Sequence, residues 1–158
     1  MNFKSFLRPA IVFPIPLGIT PDKTGANGLF GLMQNMNKYA ITPSSVASAG
    51  TAITLTAAQL VGGAVQVNTG ASGGFTITTP TASGIVAELG DTVPLDGTFS
   101  KQIDIVNNNA GQTGTLTAGT GVTLVGTLTI ATDTKRSFIM RTMSSAAVTI
   151  TNIGSLSL

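Results

Sequence analysis

The chain has 158 residues, enough for one ordinary domain with a buried core; 42% of them are apolar and only 9% charged, where globular proteins average about 25%. Thr, Gly, Ala and Ser supply nearly half of the residues, so small polar side chains stand where charge normally would. With neither His nor Cys, the chain excludes a His- or thiolate-ligated zinc site, a cysteine nucleophile, a Ser-His-Asp triad and any disulfide.

Lys4 and Arg8 precede an apolar stretch in the manner of a secretory signal, but Pro9, Pro14 and Pro16 interrupt any helical segment there, and a cleaved signal is not expected. The longest apolar stretch, Ala10 to Ile19, is too short for a membrane span. Residues 1–45 carry Lys4, Arg8, Lys23 and Lys38 against Asp22 alone, and hold five of the seven prolines and five of the eight aromatics. Fixed proline φ angles predict an extended arm over residues 1–26. Gly28–Ala40 then places Leu29, Leu32, Met33, Met36 and Ala40 at helical spacing, which predicts a short helix near 28–40. Small residues from Ser44 to Gly50 read as a linker. The division is therefore an arm over 1–45 and a body over 46–158. In the arm, Phe3, Phe6, Arg8, Phe13, Ile15, Phe30 and Tyr39 are the candidate partner-binding residues.

From residue 51 the pattern is alternation. Ile53 and Leu55, then Val65 and Val67, fall on single faces of predicted strands, and Phe75–Thr79 alternates again before Pro80. Thr56 is placed to cap one helical turn through Leu60, and Thr81 to Gly90 reads as a short helix with a Thr or Ser cap and a glycine stop. Further strands are expected over Thr98–Val106, Thr115–Ala118, Val122–Val125, Thr127–Ala131, Ser137–Thr142 and Val148–Ile153, with Asn107–Gly111 as a turn. This spacing predicts an antiparallel β-sandwich or jelly roll.

No charged residue occurs between Tyr39 and Ala87. Edge strands usually carry charge to prevent association, so this run points to an oligomer interface, with Val65 and Val67 as its candidate residues. Candidate chemistry is sparse. The Gly119–Gly126 segment lacks the helix that a phosphate loop needs and reads as a turn. Glu88, Asp91 and Asp96 sit where acids are ordinarily solvated, not where a cleft would separate their pKa values. Lys135, Arg136 and Arg141 are too few for a basic nucleic-acid face, and the methionine pairs Met33/Met36 and Met140/Met143 read as core filler.

Three segments carry a resemblance: Ile53-Thr-Leu-Thr-Ala-Ala-Gln-Leu-Val-Gly-Gly, Pro80-Thr-Ala-Ser-Gly-Ile-Val-Ala-Glu-Leu, and Ala118–Ala131 followed by Lys135-Arg136-Ser-Phe. Over residues 51–154 the chain resembles structural proteins of tailed-bacteriophage virions, of the head-decoration (cement) or head-fibre kind. The resemblance implies a non-enzymatic β-domain without cofactors, assembled in the host cytoplasm as a homotrimer on the capsid exterior, with the major capsid protein as partner and with no nucleic acid or membrane bound. A tail-fibre or other host-binding adhesin module is the alternative, which the strand positions of Phe75, Phe99 and Phe138 disfavour. A hydrolase is the enzyme-class alternative, disfavoured by the lack of His.

Overall fold

A computed structural model describes residues 40–48, 50–91, 93–109 and 111–158. The expected arm and its helix near 28–40, with every candidate partner-binding residue from Phe3 to Tyr39, lie outside the described residues. The described part is mainly β. Ten strands, β1 (Thr42–Ser48), β2 (Ala52–Thr54), β3 (Gly63–Thr69), β4 (Phe75–Thr78), β5 (Ser100–Asn107), β6 (Gly114–Thr117), β7 (Val122–Val125), β8 (Thr129–Ile130), β9 (Thr134–Ser144) and β10 (Ala147–Ser157), are joined with two helices, α1 (Ala57–Val61) and α2 (Ala82–Leu89).

The strands form a six-stranded sheet in the order β1-β3-β5-β9-β10-β7 and a four-stranded sheet in the order β2-β4-β6-β8. The first six strands alternate between the two sheets, so each strand pairs with the one two places earlier, and it does so in parallel. The expected all-antiparallel arrangement holds only for β5–β9, β9–β10 and β6–β8. The physical reason is the crossovers. A strand that leaves for the other sheet and returns through a helix or long loop lands pointing the same way, whereas a hairpin reverses it. The only hairpin in the six-stranded sheet is β9–β10, where Ser144 pairs with Ala147 across a two-residue turn.

The residues read as a linker also differ. Thr42–Ser48 is an edge strand, held in parallel to β3 with Val46 opposite Val67, and the Thr42 amide donates to the Gly62 carbonyl at 2.6 Å. The boundary drawn at residue 45 therefore falls inside a strand. Val46 is the one large apolar residue in a run of small ones, too little alternation for the sequence to show a strand.

Both helices predicted within the body are present, for the reasons read from their ends. Thr56 Oγ1 accepts from the Gln59 amide at 3.2 Å while Gln59 Oε1 accepts from the Thr56 amide at 2.9 Å, a reciprocal capping box. Thr81 Oγ1 accepts from the Gly84 amide at 3.2 Å, and Gly90 ends α2 with φ of 77°. Leu60 from α1 and Ala82, Ile85 and Leu89 from α2 join a single hydrophobic cluster with residues of both sheets. Ile53 opposes Ile77, which opposes Leu116, so one aliphatic column crosses the four-stranded sheet. Val65 and Val67, expected at an oligomer interface, are 1% and 0% exposed and belong to this same core. Their alternation faces the chain's own interior, so a second copy cannot reach them.

Two glycines separate backbone strain from packing. Gly111 and Gly121 have φ of 80° and 78°, but a Cβ at Gly111 meets open space, whereas one at Gly121 runs into the Ala146 carbonyl oxygen of the β9–β10 turn. Gly111→Ala is expected to cost about 1–2 kcal/mol from strain alone. Gly121→Ala is expected to cost more than Gly111→Ala by at least about 1 kcal/mol, because the turn must also move. Urea denaturation of the two variants checks the order.

Candidate interaction surface

Every charged side chain of the described residues lies on α2, on β5 or β9, or in the 91–96 and 131–133 connections; the other eight strands carry none. Because β5 and β9 are neighbours in the middle of the six-stranded sheet, charge occupies its centre and leaves the two strands on either side uncharged. Soluble sheets ordinarily do the opposite and place charge on their edges.

At the centre stands Asp104, on the outward face of β5. Its carboxylate accepts from Gln102 Nε2 at 2.9 Å, Lys135 Nζ at 2.9 Å and Ser137 Oγ at 2.7 Å. Partial burial alone would raise the Asp104 carboxyl, but the bonds from Gln102, Lys135 and Ser137 and the Lys135 charge outweigh it and hold the group below the usual carboxylate range. The three cations that the sequence placed near one hairpin do not share a face. Lys135 and Arg141 point outward, while Arg136 opposes Ile105 and lies on the core side with Phe138. Arg136 Nε and, on the same face of the neighbouring β10, Asn152 Nδ2 are buried with no acceptor among the described residues.

Lys101, on the core side at the other end of β5, is 5% exposed, donates from Nζ to the Ala40 carbonyl at 2.9 Å, and is pushed below the ordinary lysine range by burial. The acids of residues 88–96 behave as the sequence suggested for solvated groups. Glu88, Asp91 and Asp96 are exposed, and Asp96 accepts from the Thr98 hydroxyl and amide, hydrogen bonds that lower its carboxyl and close a turn. Among the described residues no cluster of acids could hold a metal ion, and no helix is long and apolar enough to cross a membrane. Gly119–Gly126 leads through a turn into β7, without a helix for a phosphate to approach.

A shallow depression of about 370 Å³ runs over the outward face of β1, β3 and β5, with Pro43, Ser45, Ala64, Gln66 and Val106 on it. Its lining holds no ionisable group, so it offers contact rather than acid–base chemistry. Of the seven large apolar side chains exposed among the described residues, Ile41 lies just before β1, Leu95 and Met143 lie elsewhere, and the other four gather at the opposite edge of the sheet. Val125 on β7, Ile153 and Leu156 on β10, and Leu158 just beyond it are 44%, 53%, 59% and 67% exposed. Sequence reading missed this edge; the signal available was the absence of charge from residue 142 to residue 158. Phe75, Phe99 and Phe138 are buried, and Met140 with them, whereas Met143 is 47% exposed.

A buried polar network fastens the two sheets. Asn107 Nδ2, at the end of β5, donates to the carbonyls of Gln112 (2.7 Å), Ile130 (3.0 Å) and Ala131 (3.1 Å). Asn107 Oδ1 accepts from the Asn109 amide at 3.0 Å, and Asn109 Nδ2 donates to Thr69 Oγ1 at 2.6 Å. Compared with protein-family models, curated proteins and solved structures, the chain matches none.

The depressed Asp104 titration has a defined sign. A carboxyl with a folded pKa below its unfolded value of about 4 stabilises at and above that pH, and the contribution is lost as pH falls through the folded value. Asp104→Asn is expected to cost about 0.5–1.5 kcal/mol at neutral pH. In acid the gap between variant and parent closes, which denaturant titrations across pH measure.

Proposed function

We propose that this chain is a non-enzymatic structural protein that decorates a larger protein shell, in the manner of the virion head-decoration proteins it resembles, with the shell's major protein as partner. The observation that supports this reading most directly is the distribution of charge. A β-body whose outer strands carry no charged residue, and which exposes Val125, Ile153, Leu156 and Leu158 along one sheet edge, is built to be covered by protein. A surface of Thr, Ser, Gly and small apolar residues suits broad contact with another protein, and gives little purchase to a phosphate backbone or an anionic membrane. On this reading the residues before β1, including Phe3, Phe6, Arg8, Phe13, Ile15, Phe30 and Tyr39, form the attachment arm, and the body is what that arm carries.

The reading is tested by adding the purified full chain to shells that lack it. Saturable occupancy at a fixed number of copies per shell is expected, measured by co-sedimentation and electron microscopy. Deleting residues 1–26 is expected to leave the circular dichroism strand-dominated while occupancy falls at least about tenfold, the loss of roughly 1.4 kcal/mol or more in binding. A full chain that leaves such shells bare overturns the decoration reading, and a truncated chain that fills them overturns the role given to the arm.

A further inference from the structure

We propose that the second half of β10, Asn152–Ser157, is a docking edge for the same segment of a second copy, the two strands running antiparallel so that the six-stranded sheets of two molecules join. β7 accompanies β10 only from Val148 to Thr151, where Thr151 opposes Val125. Beyond that point β10 continues against β9 as far as Ser157, and among the described residues no strand lies on its other side. Past Asn152, which lies beside Gly126, and past a bulge between Asn152 and Gly154, backbone as far as Ser157 presents main-chain groups along the line that β7 has vacated. At the middle of this edge Gly154 is open, since a Cβ there would meet nothing within 4 Å. An added strand would occupy the row of β7, end to end with it, and take up hydrogen bonds that no strand among the described residues offers.

Side chains and charge select the occupant. Leu156 opposes Lys135, so it lies on the outward face together with Val125 and Ile139, both of which oppose Thr151. With Ile153 this makes an apolar border to the open edge. An antiparallel pair of identical segments is self-complementary, each donor of one copy meeting an acceptor of the other across a twofold axis. That symmetry also sets like side chains near one another, which a charged edge would not tolerate. Here residues 142–158 hold no charged side chain, and of the two cations opposite the segment, Lys135 is paired with Asp104 at 2.9 Å while Arg136 lies on the core side. A strongly acidic or basic partner would find no counter-charge on this edge. A second copy meets apolar side chains, serines and free backbone. The unit of association is then a pair, in place of the trimer that the resemblance implies. This inference rests on the sheet edge and not on the decoration reading.

The full chain at micromolar concentration is expected to scatter light with the mass of a dimer. Ile153→Lys and Leu156→Lys place like charges across the twofold axis and are expected to weaken the pair at least about tenfold, with circular dichroism unchanged. Since the chain has no cysteine, single substitutions from Asn152→Cys to Ser157→Cys report the edge independently of those variants. Oxidation is expected to crosslink two copies most efficiently at the centre of the segment and progressively less toward both ends. A monomeric full chain, an association that both lysine variants leave intact, or a trimer whose cysteine variants do not crosslink would each overturn the proposal. A monomer that still fills shells would do so while sparing the decoration reading, and a crosslinked pair that leaves shells bare would do the reverse.

Discussion

The structure depends on one constraint, that consecutive strands from β1 to β6 never lie in the same sheet. Each crossing takes the chain out of a ladder it has just joined, and only the next strand but one completes that ladder. No tight turn sets the pairing of these strands, because their partners are distant in sequence; Ala64 meets Asp104 and Phe75 meets Gly114. The register is held by burial instead. A slip of one residue would turn Ile53, Ile77 and Leu116 to solvent and bring threonines into the core. Two helices fill the longer crossings, and each brings apolar residues to the shared cluster, so the crossings contribute to the core as well as connecting it.

A chain that crosses between layers must bury backbone groups where it leaves a ladder, and each needs a partner. Asn107 answers this at the end of β5, with one amide reaching three carbonyls, one on the segment that leads into β6 and two at the end of β8. Thr79 does the same on a smaller scale, its hydroxyl accepting from the Gly119 amide at 2.8 Å. Threonine and asparagine thus do most of the polar work inside, joined by Lys101 on the core side of β5, while the remaining ionisable side chains lie on β5, on β9, at the end of α2 and in the connections. Asp104 and Lys135 show why the centre of a sheet suits them, since neighbouring strands on both sides supply Ser137 and the aliphatic surroundings that keep the pair together.

The elements were legible in the sequence where a local signal existed. Both helices of the body announce themselves through Thr56, Thr81 and Gly90, and the alternation of Ile53, Leu55 and Phe75 marks positions that the structure buries. What alternation cannot carry is direction. A strand buried on one face reads the same whether its neighbour is parallel or antiparallel, which is why the expected antiparallel arrangement gave way to mixed sheets. The interface expected at Val65 and Val67 fails for a different reason: the charge-free run around them concerns the strand edges, not the side chains that alternate inward. Thr42–Ser48 was invisible for the opposite reason, because it owes its strand form to Gly62 and β3 rather than to its own residues. The candidate surface was half legible. Missing charge pointed to contact with protein, but only the topology shows that the uncharged strands are the outermost ones.

The β9–β10 hairpin has a bearing on how the molecule comes into being. It is the most local pairing in the six-stranded sheet, with a two-residue turn, and so the pairing that closes with least loss of chain entropy. Yet a ribosome makes it after the strands that it joins, because β5 waits for β9 and β7 waits for β10. Through most of translation the uncharged strands exist as nascent chain without the centrepiece that organises them. Maturation of this sheet therefore falls late in synthesis, and through that interval its uncharged early strands have edges that their partners do not yet cover.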